Sequence, residues 1–244
     1  MLDKFSFHFL KILRMLKYFV KYTTHPWKII NGIRLPVSLK YGYSVLRFID
    51  DGSYENEEAA IVLAKLELSD KVLELGTGIG FISALCAKKV GDQSVYTYEA
   101  NPDMIPVIRK LYRINNVAPQ FRNALLSSNE DQTHFFTNKN FLASTQKKSD
   151  TKRNQVQVPV LPLNTTIAAL NPTYLIMDIE GNEYDIFRII DFQSINKVQF
   201  ELHPSALSSD QINFIFERLK MENFNRDKSL GYRNNFFFKR DIKS

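Results

Sequence analysis

A glycine-rich turn between a strand and a helix constrains this chain more than any other feature of its sequence. In the stretch KVLELGTGIGFISALCA, Gly76, Gly78 and Gly80 follow an apolar strand pattern and precede a helical run that begins at Phe81. A tight strand-to-helix turn requires backbone angles that side chains disfavour, and a ligand lying against the main chain requires positions without a Cβ. The pattern therefore predicts a ligand-binding strand–loop–helix unit.

The remainder of the chain alternates between strand and helix patterns. Strands are predicted at 71–75, 94–99, 173–178 and 197–202, and helices at 81–90, 102–115, 183–190 and 208–220. Such alternation predicts an α/β fold with a Rossmann-like, mostly parallel sheet and helices on both faces. The aromatic run 232–239 is predicted to close the sheet as a hairpin with residues near 221–225, and 133–160 is predicted to hold a polar loop between strands.

Composition places the chain among folded globular proteins. It has 244 residues, of which 44% are hydrophobic and 24% are charged, which argues against a mostly disordered, collagenous or coiled-coil chain. Cys86 is the sole cysteine, so an internal disulfide and a cysteine-rich zinc site are excluded. This cysteine usage favours a reducing compartment, and we expect a cytoplasmic protein.

Positive charge is concentrated at the N-terminus. Residues 1–50 hold nine basic and two acidic residues, a net charge of +7, whereas the rest of the chain holds 23 basic and 24 acidic residues, a net charge of −1. The neutral body argues against a nucleic-acid partner. Segment 1–22 is predicted to form a basic amphipathic helix, too often interrupted by charges to span a membrane.

We divide the chain accordingly into an N-terminal extension, residues 1–30, and one large domain over residues 31–244. Two roles are open for the amphipathic helix. It can pack on its own domain or on a second subunit of a homo-oligomer, or it can lie on the anionic inner surface of a membrane as a peripheral contact.

The spacing of the glycines and of two carboxylates distinguishes between nucleotide cofactors. A dinucleotide fingerprint has the pattern G-x-G-x-x-G, whereas this loop has G-x-G-x-G and begins two residues after Glu74. An acidic residue there attracts an ammonium group and repels a pyrophosphate. Glu99, at the end of the next strand, is placed to accept hydrogen bonds from both hydroxyls of a ribose. We therefore predict S-adenosyl-L-methionine as the cofactor, with an NAD-type oxidoreductase as the alternative.

Four motifs, VLELGTGIGFIS, YEANP, LIMDIEGNEYDIF and VQFELHP, resemble those of the FkbM-type family of S-adenosylmethionine-dependent methyltransferases. The distinctive D-x-E-G-x-E stretch of that family stands here at residues 178–183. The resemblance implies a seven-stranded methyltransferase sheet whose last strand is antiparallel. It also implies O-methylation of a hydroxyl on a sugar, polysaccharide or glycosylated natural product. A scaffold that binds the cofactor without turnover is a further alternative.

Candidate catalytic residues lie at strand ends, where ligands bind in open parallel sheets. Asp178 ends one predicted strand, while Glu201 and His203 end the next with their side chains on the same side. Transfer to an alcohol requires a base, so we expect His203 or Asp178 to take the proton, with Glu180 and Glu201 orienting it or binding substrate hydroxyls. A divalent cation such as Mg²⁺, held by Asp178, Glu201 and His203, is the alternative. Glu183 is expected to stabilise the first turn of the following helix.

The predicted cofactor contacts come from several strand ends and the loops that follow them. Asn123 and Ala124 are placed to reach the adenine, and the family resemblance implies that Tyr54 and Glu55 also face the site. The full predicted set of cofactor-binding residues is Glu74, Gly76, Thr77, Gly78, Gly80, Phe81, Glu99, Ala100, Asn123, Ala124 and Asp178.

Overall fold

The structure is a computed structural model that describes residues 18, 20–23, 26–38, 41–128, 133–137, 154–231 and 233–240. The predicted amphipathic helix falls almost wholly outside the described residues, as does the basic part of the polar loop, Lys147 to Arg153. No helix in the described part of the chain has the length and apolar character needed to cross a membrane.

The strands and helices follow one another in an alternating order. The strands are β1 (Trp27–Ile30), β2 (Ile33–Pro36), β3 (Val72–Leu75), β4 (Val95–Glu99), β5 (Gln120–Asn123), β6 (Leu125–Ser127), β7 (Thr133–Thr137), β8 (Asn154–Val158), β9 (Val160–Pro162), β10 (Tyr174–Met177), β11 (Lys197–Glu201), β12 (Asn225–Arg226) and β13 (Asn235–Lys239). The helices are α1 (Gly42–Asp51), α2 (Asn56–Lys65), α3 (Phe81–Val90), α4 (Ile105–Asn115), α5 (Leu163–Leu170), α6 (Glu183–Ile189) and α7 (Ser209–Met221).

Seven strands form the central sheet, in the order β12-β13-β11-β10-β3-β4-β5. Neighbours from β11 to β5 pair in parallel, and β13 pairs antiparallel with both β11 and β12. The predicted fold class, a mostly parallel seven-stranded sheet with an antiparallel last strand, is confirmed. All the parallel strands present their carboxyl ends to the same edge of the sheet, where ligands bind in open sheets of this kind.

The two faces of the sheet bury separate hydrophobic clusters, because side chains alternate along each strand. Val72 and Tyr174 pack with apolar side chains of α2, α3 and α4 on one face. Leu73 and Leu175 pack with those of α5, α6 and α7 on the other. Helices therefore cover both faces and leave the carboxyl edge of the sheet free for a site.

For the strands and helices that were predicted, local sequence rules place the boundaries within a few residues of those observed. The helix predicted from residue 102 begins at Ile105, because a 3₁₀ turn over Pro102–Met104 comes first, with the Asn101 side chain accepting from the backbone N–H of Asp103 as its N-cap. The partner of the last strand is Asn225–Arg226, at the end of the predicted range. In the region predicted as a polar loop, β7 and β8 pair antiparallel with each other.

Candidate active site

A cavity of about 420 Å³ opens at the carboxyl edge of the sheet. Its wall holds the glycine turn after β3, the end of β4, the turn after β10 and the end of β11. Carboxyl groups dominate its polar lining: Glu55, Glu58, Glu74, Glu99, Asp178, Glu180, Asp185 and Glu201. No lysine, arginine or histidine side chain lines it among the residues that the structure describes.

The glycine turn enters the cavity because Gly76 passes directly against the main chain that follows β10. The N–H of Gly76 donates to the carbonyl of Tyr98, 2.9 Å away, and its φ is +88°. A Cβ at this position would lie 1.7 Å from the carbonyl oxygen of Asp178. Only glycine allows both the left-handed backbone and this approach, so the turn and Asp178 form one continuous floor.

Glu99 closes β4 and is held by the main chain on both sides. Its Oε2 accepts from the N–H of Gly78 at 3.0 Å, and its Oε1 accepts from the N–H of Asn101 at 2.8 Å. Burial raises the pKa of Glu99 to about 7, although these backbone bonds oppose the shift. The backbone N–H of Ala100 also hydrogen-bonds to this carboxylate. Two oxygens offer about four acceptor sites, so acceptor capacity remains for a ligand hydroxyl such as that of a ribose.

Glu74 lies beneath the glycine turn and is 2% exposed. Thr97 donates a hydrogen bond to Glu74 and in turn contacts the Thr77 hydroxyl, which ties the turn to β3 and β4. Burial raises the pKa of Glu74 to about 8. A cation in the cavity would oppose that shift and favour the charged carboxylate.

The predicted cofactor residues divide into two groups. Eight line the cavity: Glu74, Gly76, Thr77, Gly78, Glu99, Ala100, Ala124 and Asp178. Gly80, Phe81 and Asn123 lie outside its lining. Gly80 packs against the ring of Tyr112, Phe81 is fully buried in the core, and the Asn123 side chain donates to the carbonyls of Glu99 at 2.7 Å and Ala100 at 3.2 Å. These three residues support the cavity wall from behind.

His203 lies behind the cavity floor, between carboxylates. Its Nδ1 is 2.8 Å from Oε1 of Glu183, while its Nε2 is 3.4 Å from Oε2 of Glu180 and 3.7 Å from Oδ1 of Asp178. Burial lowers the pKa of His203, but the hydrogen bond to Glu183 and the charges of Asp178 and Glu180 outweigh it, so the pKa is raised to about 9. His203 is therefore an imidazolium cation at neutral pH.

Asp178 lines the cavity and lies beside His203. Burial raises its pKa well above the usual range, and the charges of Glu201 and Glu180 raise it further, whereas the imidazolium of His203 lowers it. Its Oδ1 is buried and has no hydrogen-bond partner in the structure. An unpaired, buried carboxylate oxygen at the cavity floor is suited to accept a proton or a hydrogen bond from a ligand.

The three residues predicted to hold a divalent cation lie close enough together to share one ion. One ligand atom each from Asp178, Glu201 and His203 lies within 4.8 Å of the others. Ligation through His203 would require the loss of the proton that its neighbouring carboxylates stabilise, since a metal binds neutral imidazole. A metal ion at this trio would therefore compete with the proton on His203.

One wall of the cavity contains residues that the sequence analysis did not identify. Glu58 on α2, Gln199 on β11 and Asn235 on β13 line it together with Tyr54 and Glu55. The available signal was the presence of Gln199 and Asn235 next to apolar residues in two strands that are mostly buried. Glu55 has a φ of +46°, and Glu180 on the opposite side has a φ of +53°. Such left-handed backbone at non-glycine residues concentrates at functional sites.

Known structures similar to this one include three methyltransferases. A methyltransferase from Pyrococcus furiosus has 13% sequence identity and a TM-score of 0.48, covering 94% of this chain and 98% of that chain. Magnesium protoporphyrin IX methyltransferase from Synechocystis PCC 6803, with bound S-adenosylmethionine, has 14% identity and a TM-score of 0.46, covering 82% and 88%. A tRNA (uracil-54, C5)-methyltransferase from Pyrococcus abyssi has 13% identity and a TM-score of 0.47, covering 87% and 42%.

The family assignment comes from a match over residues 74–233 of the sequence. A model of the methyltransferase FkbM domain matches residues 74–233, which is more than half of the chain. The match begins at Glu74 and includes Glu99 and Asp178, which line the cavity, and His203, which lies behind its floor. The chain belongs to the FkbM family of S-adenosylmethionine-dependent methyltransferases.

Proposed function

We propose that this methyltransferase methylates a hydroxyl group of a carbohydrate or glycosylated natural product, with Asp178 as the general base. The observation that carries the proposal is the Asp178 carboxylate itself. Its Oδ1 is buried without a hydrogen-bond partner, the residue lines the cavity, and the imidazolium of His203 lies 3.7 Å behind it.

The hydrogen-bonding groups and the charge of the cavity fit S-adenosylmethionine. Glu99 keeps acceptor capacity for a ribose hydroxyl, and the turn at Gly76 and Gly78 allows the ligand to lie against the main chain. All charged side chains that line the cavity among the described residues are acidic, which favours a ligand with positive charge and no phosphate over a dinucleotide. When bound, this cofactor supplies the methyl group that is transferred.

Asp178 is better suited than His203 to take the proton. An alcohol must lose its proton as its oxygen forms the new bond to carbon, and the base must be unprotonated at the start. His203 has a pKa of about 9 and already carries its proton at neutral pH. Burial raises the pKa of Asp178, while the charge of His203 lowers it and so favours the ionised carboxylate that a base requires.

The test is radiolabelled methyl transfer from S-adenosylmethionine to a panel of glycans and glycosides. We expect transfer by the wild type, and a loss of about 100-fold or more in Asp178→Asn with binding of S-adenosylhomocysteine retained. Asp210→Asn, an equivalent change on the exposed first turn of α7, is the matched control. Near-wild-type turnover of Asp178→Asn would remove Asp178 from catalysis.

Three further results would redirect the proposal. Calorimetric binding of NAD instead of S-adenosylhomocysteine would favour the oxidoreductase alternative over the sulfonium cofactor. Cofactor binding without transfer to any hydroxylated acceptor would favour the scaffold alternative. Activity that disappears on chelation and returns with Mg²⁺ or Mn²⁺ would instead favour a metal held by Asp178, Glu201 and His203.

A further inference from the structure

One wall of the cavity, formed by Glu58, Glu201 and Asn235, lies on the side that the proposed function gives to the methyl acceptor. Glu201 ends β11, and Asn235 is its partner in the register of β11 with β13. Asn235 is 5% exposed, and its Nδ2 donates to Oε1 of Glu58 at 3.0 Å and, more weakly, to Oε2 of Glu57 at 3.4 Å. The Oδ1 of Asn235 has no hydrogen-bond partner, although the residue lines the cavity.

This wall lacks a complementary cation among the described residues. Glu58 and Glu201 line the cavity beside Asn235, and none of the residues lining it is basic. The Glu58 carboxyl group accepts from Asn235 and shares a hydrogen bond with Glu201. The buried Oδ1 of Asn235 has no donor, which costs free energy, so a ligand with several N–H donors would bind there favourably. A protonated primary amine has three such donors and a positive charge.

We infer that the hydroxyl acceptor carries a protonated amine, as in an amino sugar or another amino alcohol, and that Glu58, Glu201 and Asn235 bind this ammonium group. The inference rests on the proposed function, because it takes the reacting hydroxyl to lie at Asp178. Glu201 and Asp178 have carboxylate oxygens within one 4.8 Å cluster. The amine and the reacting hydroxyl therefore lie close together in one molecule.

The electrostatics of the wall agree with a cationic occupant. Burial raises the pKa of Glu201 to about 7, and the nearby charge of Glu58 raises it further, so part of the Glu201 population is protonated at neutral pH. An ammonium group would bind the charged form. Phosphorylated or nucleotide-linked sugars would instead be repelled by the same carboxylates.

The experiment measures binding of four probes to the full chain saturated with S-adenosylhomocysteine: the methyl glycosides of glucosamine, N-acetylglucosamine and glucose, and glucose 6-phosphate. We expect the amine to bind at least about tenfold more tightly than its N-acetyl partner, and the phosphate to bind most weakly. Glu201→Gln and Glu58→Gln should each abolish most of this preference. Glu217→Gln, the same change at an exposed position on α7, should leave it unchanged.

Each other outcome overturns the inference. Equal binding of the amine and the N-acetyl glycoside, or tight binding of the phosphate, would exclude an ammonium subsite. A parallel loss of S-adenosylhomocysteine affinity in Glu201→Gln would mean that this wall binds the amino group of the cofactor. A rise in melting temperature with Mn²⁺ alone, together with no preference for the amine in the metal-free protein, would identify a metal site instead.

The two proposals fail in different ways. Methyl transfer to neutral glycans with no preference for an amine would leave the proposed function intact and remove the ammonium subsite. Tight binding of the amine-bearing glycoside without any methyl transfer to its hydroxyls would retain the subsite and remove the proposed chemistry.

Discussion

The imidazole of His203 is hydrogen-bonded to Glu183, whose carboxyl group has no exposed surface, at an Nδ1–Oε1 distance of 2.8 Å. The same Oε1 accepts from the N–H of Gly181 at 2.9 Å, so Glu183 joins the turn after β10 to the end of β11. A buried carboxylate in this position stabilises the protonated imidazole and orients its Nε2 towards Asp178 and Glu180. Glu183 is thus a positioning residue, which acts on the site through His203.

Replacing Glu183 by Gln should lower kcat about tenfold or more and move the acidic limb of the pH–rate profile to higher pH. Gln retains an acceptor for His203 and Gly181 but removes the charge that raises the pKa of His203. His203 would then lose its proton at a lower pH, and Asp178 would lose the cation that lowers its own pKa. Asp178 would consequently need a higher pH to act as the base. The measurement is the pH dependence of kcat with saturating substrates.

The direction of that change identifies the base. If His203 itself were the base, the same substitution would move the acidic limb to lower pH, because the group that must be unprotonated would have a lower pKa. An unchanged profile with lower kcat would indicate a purely structural role for Glu183. Binding of S-adenosylhomocysteine should be unaffected, and this controls for misfolding.

Gly76→Ala should prevent stable folding, or cost several kcal/mol more than the matched change Gly52→Ala. Both glycines have a positive φ, +88° and +82°, so each substitution carries a similar backbone penalty of about 1–2 kcal/mol. A Cβ on Gly52 would meet nothing within 4 Å, whereas one on Gly76 would overlap the carbonyl oxygen of Asp178. Urea denaturation of both variants measures the difference. Equal losses of stability would show that the close approach of Gly76 to the main chain at Asp178 is not needed for stability.

The sheet was largely predictable from sequence because its signals are local. The strand, turn and helix around Gly76 lie within a single stretch of the chain, and the third glycine of the turn, Gly80, directly precedes α3. Glu99 and Asp178 lie at or just after strand ends, and carboxyl ends of parallel strands share one edge. The 3₁₀ turn that delays α4 depends on the Asn101 cap and on Pro102, which are local signals too.

The acceptor wall could not be predicted in the same way. Asn235 faces Glu201 only because β13 pairs antiparallel with β11, and Glu58 reaches Asn235 only because α2 packs against the same strand. No spacing rule connects residues so far apart in the chain. The protonation state of His203 could not be predicted either, because it depends on Glu183, Glu180 and Asp178 together. A sequence does not state how deeply such a cluster is buried.

The ligand-free protein should become less stable as pH rises from about 5 to 9. Burial raises the pKa of Glu74 to about 8 and those of Glu99 and Glu201 to about 7, and the carboxylates around His203 raise its pKa to about 9. The folded state therefore binds more protons than the unfolded state over this range, and the free energy of unfolding falls with rising pH.

Urea denaturation at pH 5.5, 7.0 and 8.5 tests this slope. Each group contributes fully below its ordinary pKa, and its contribution is lost as pH rises through the raised value, at about 1.4 kcal/mol per pH unit for one proton. Glu74→Gln removes one group and should give a shallower slope. Asp227, whose pKa is lowered to about 2 chiefly by Lys65, acts below this window. A stability that is constant or rises between pH 5.5 and 8.5 would contradict the raised pKa values.

Glu99→Gln should weaken binding of S-adenosylhomocysteine by about 10- to 100-fold, because hydrogen bonds to a charged acceptor each contribute about 1.5–3 kcal/mol. Gln keeps one oxygen for either Gly78 or Asn101, so the turn is retained in part. The decisive comparison is with the 2′-deoxy analogue of the ligand. The wild type should prefer the ribose form, and the variant should lose most of that preference. If the variant weakens both ligands equally, Glu99 acts only by holding the glycine turn and does not bind the ribose.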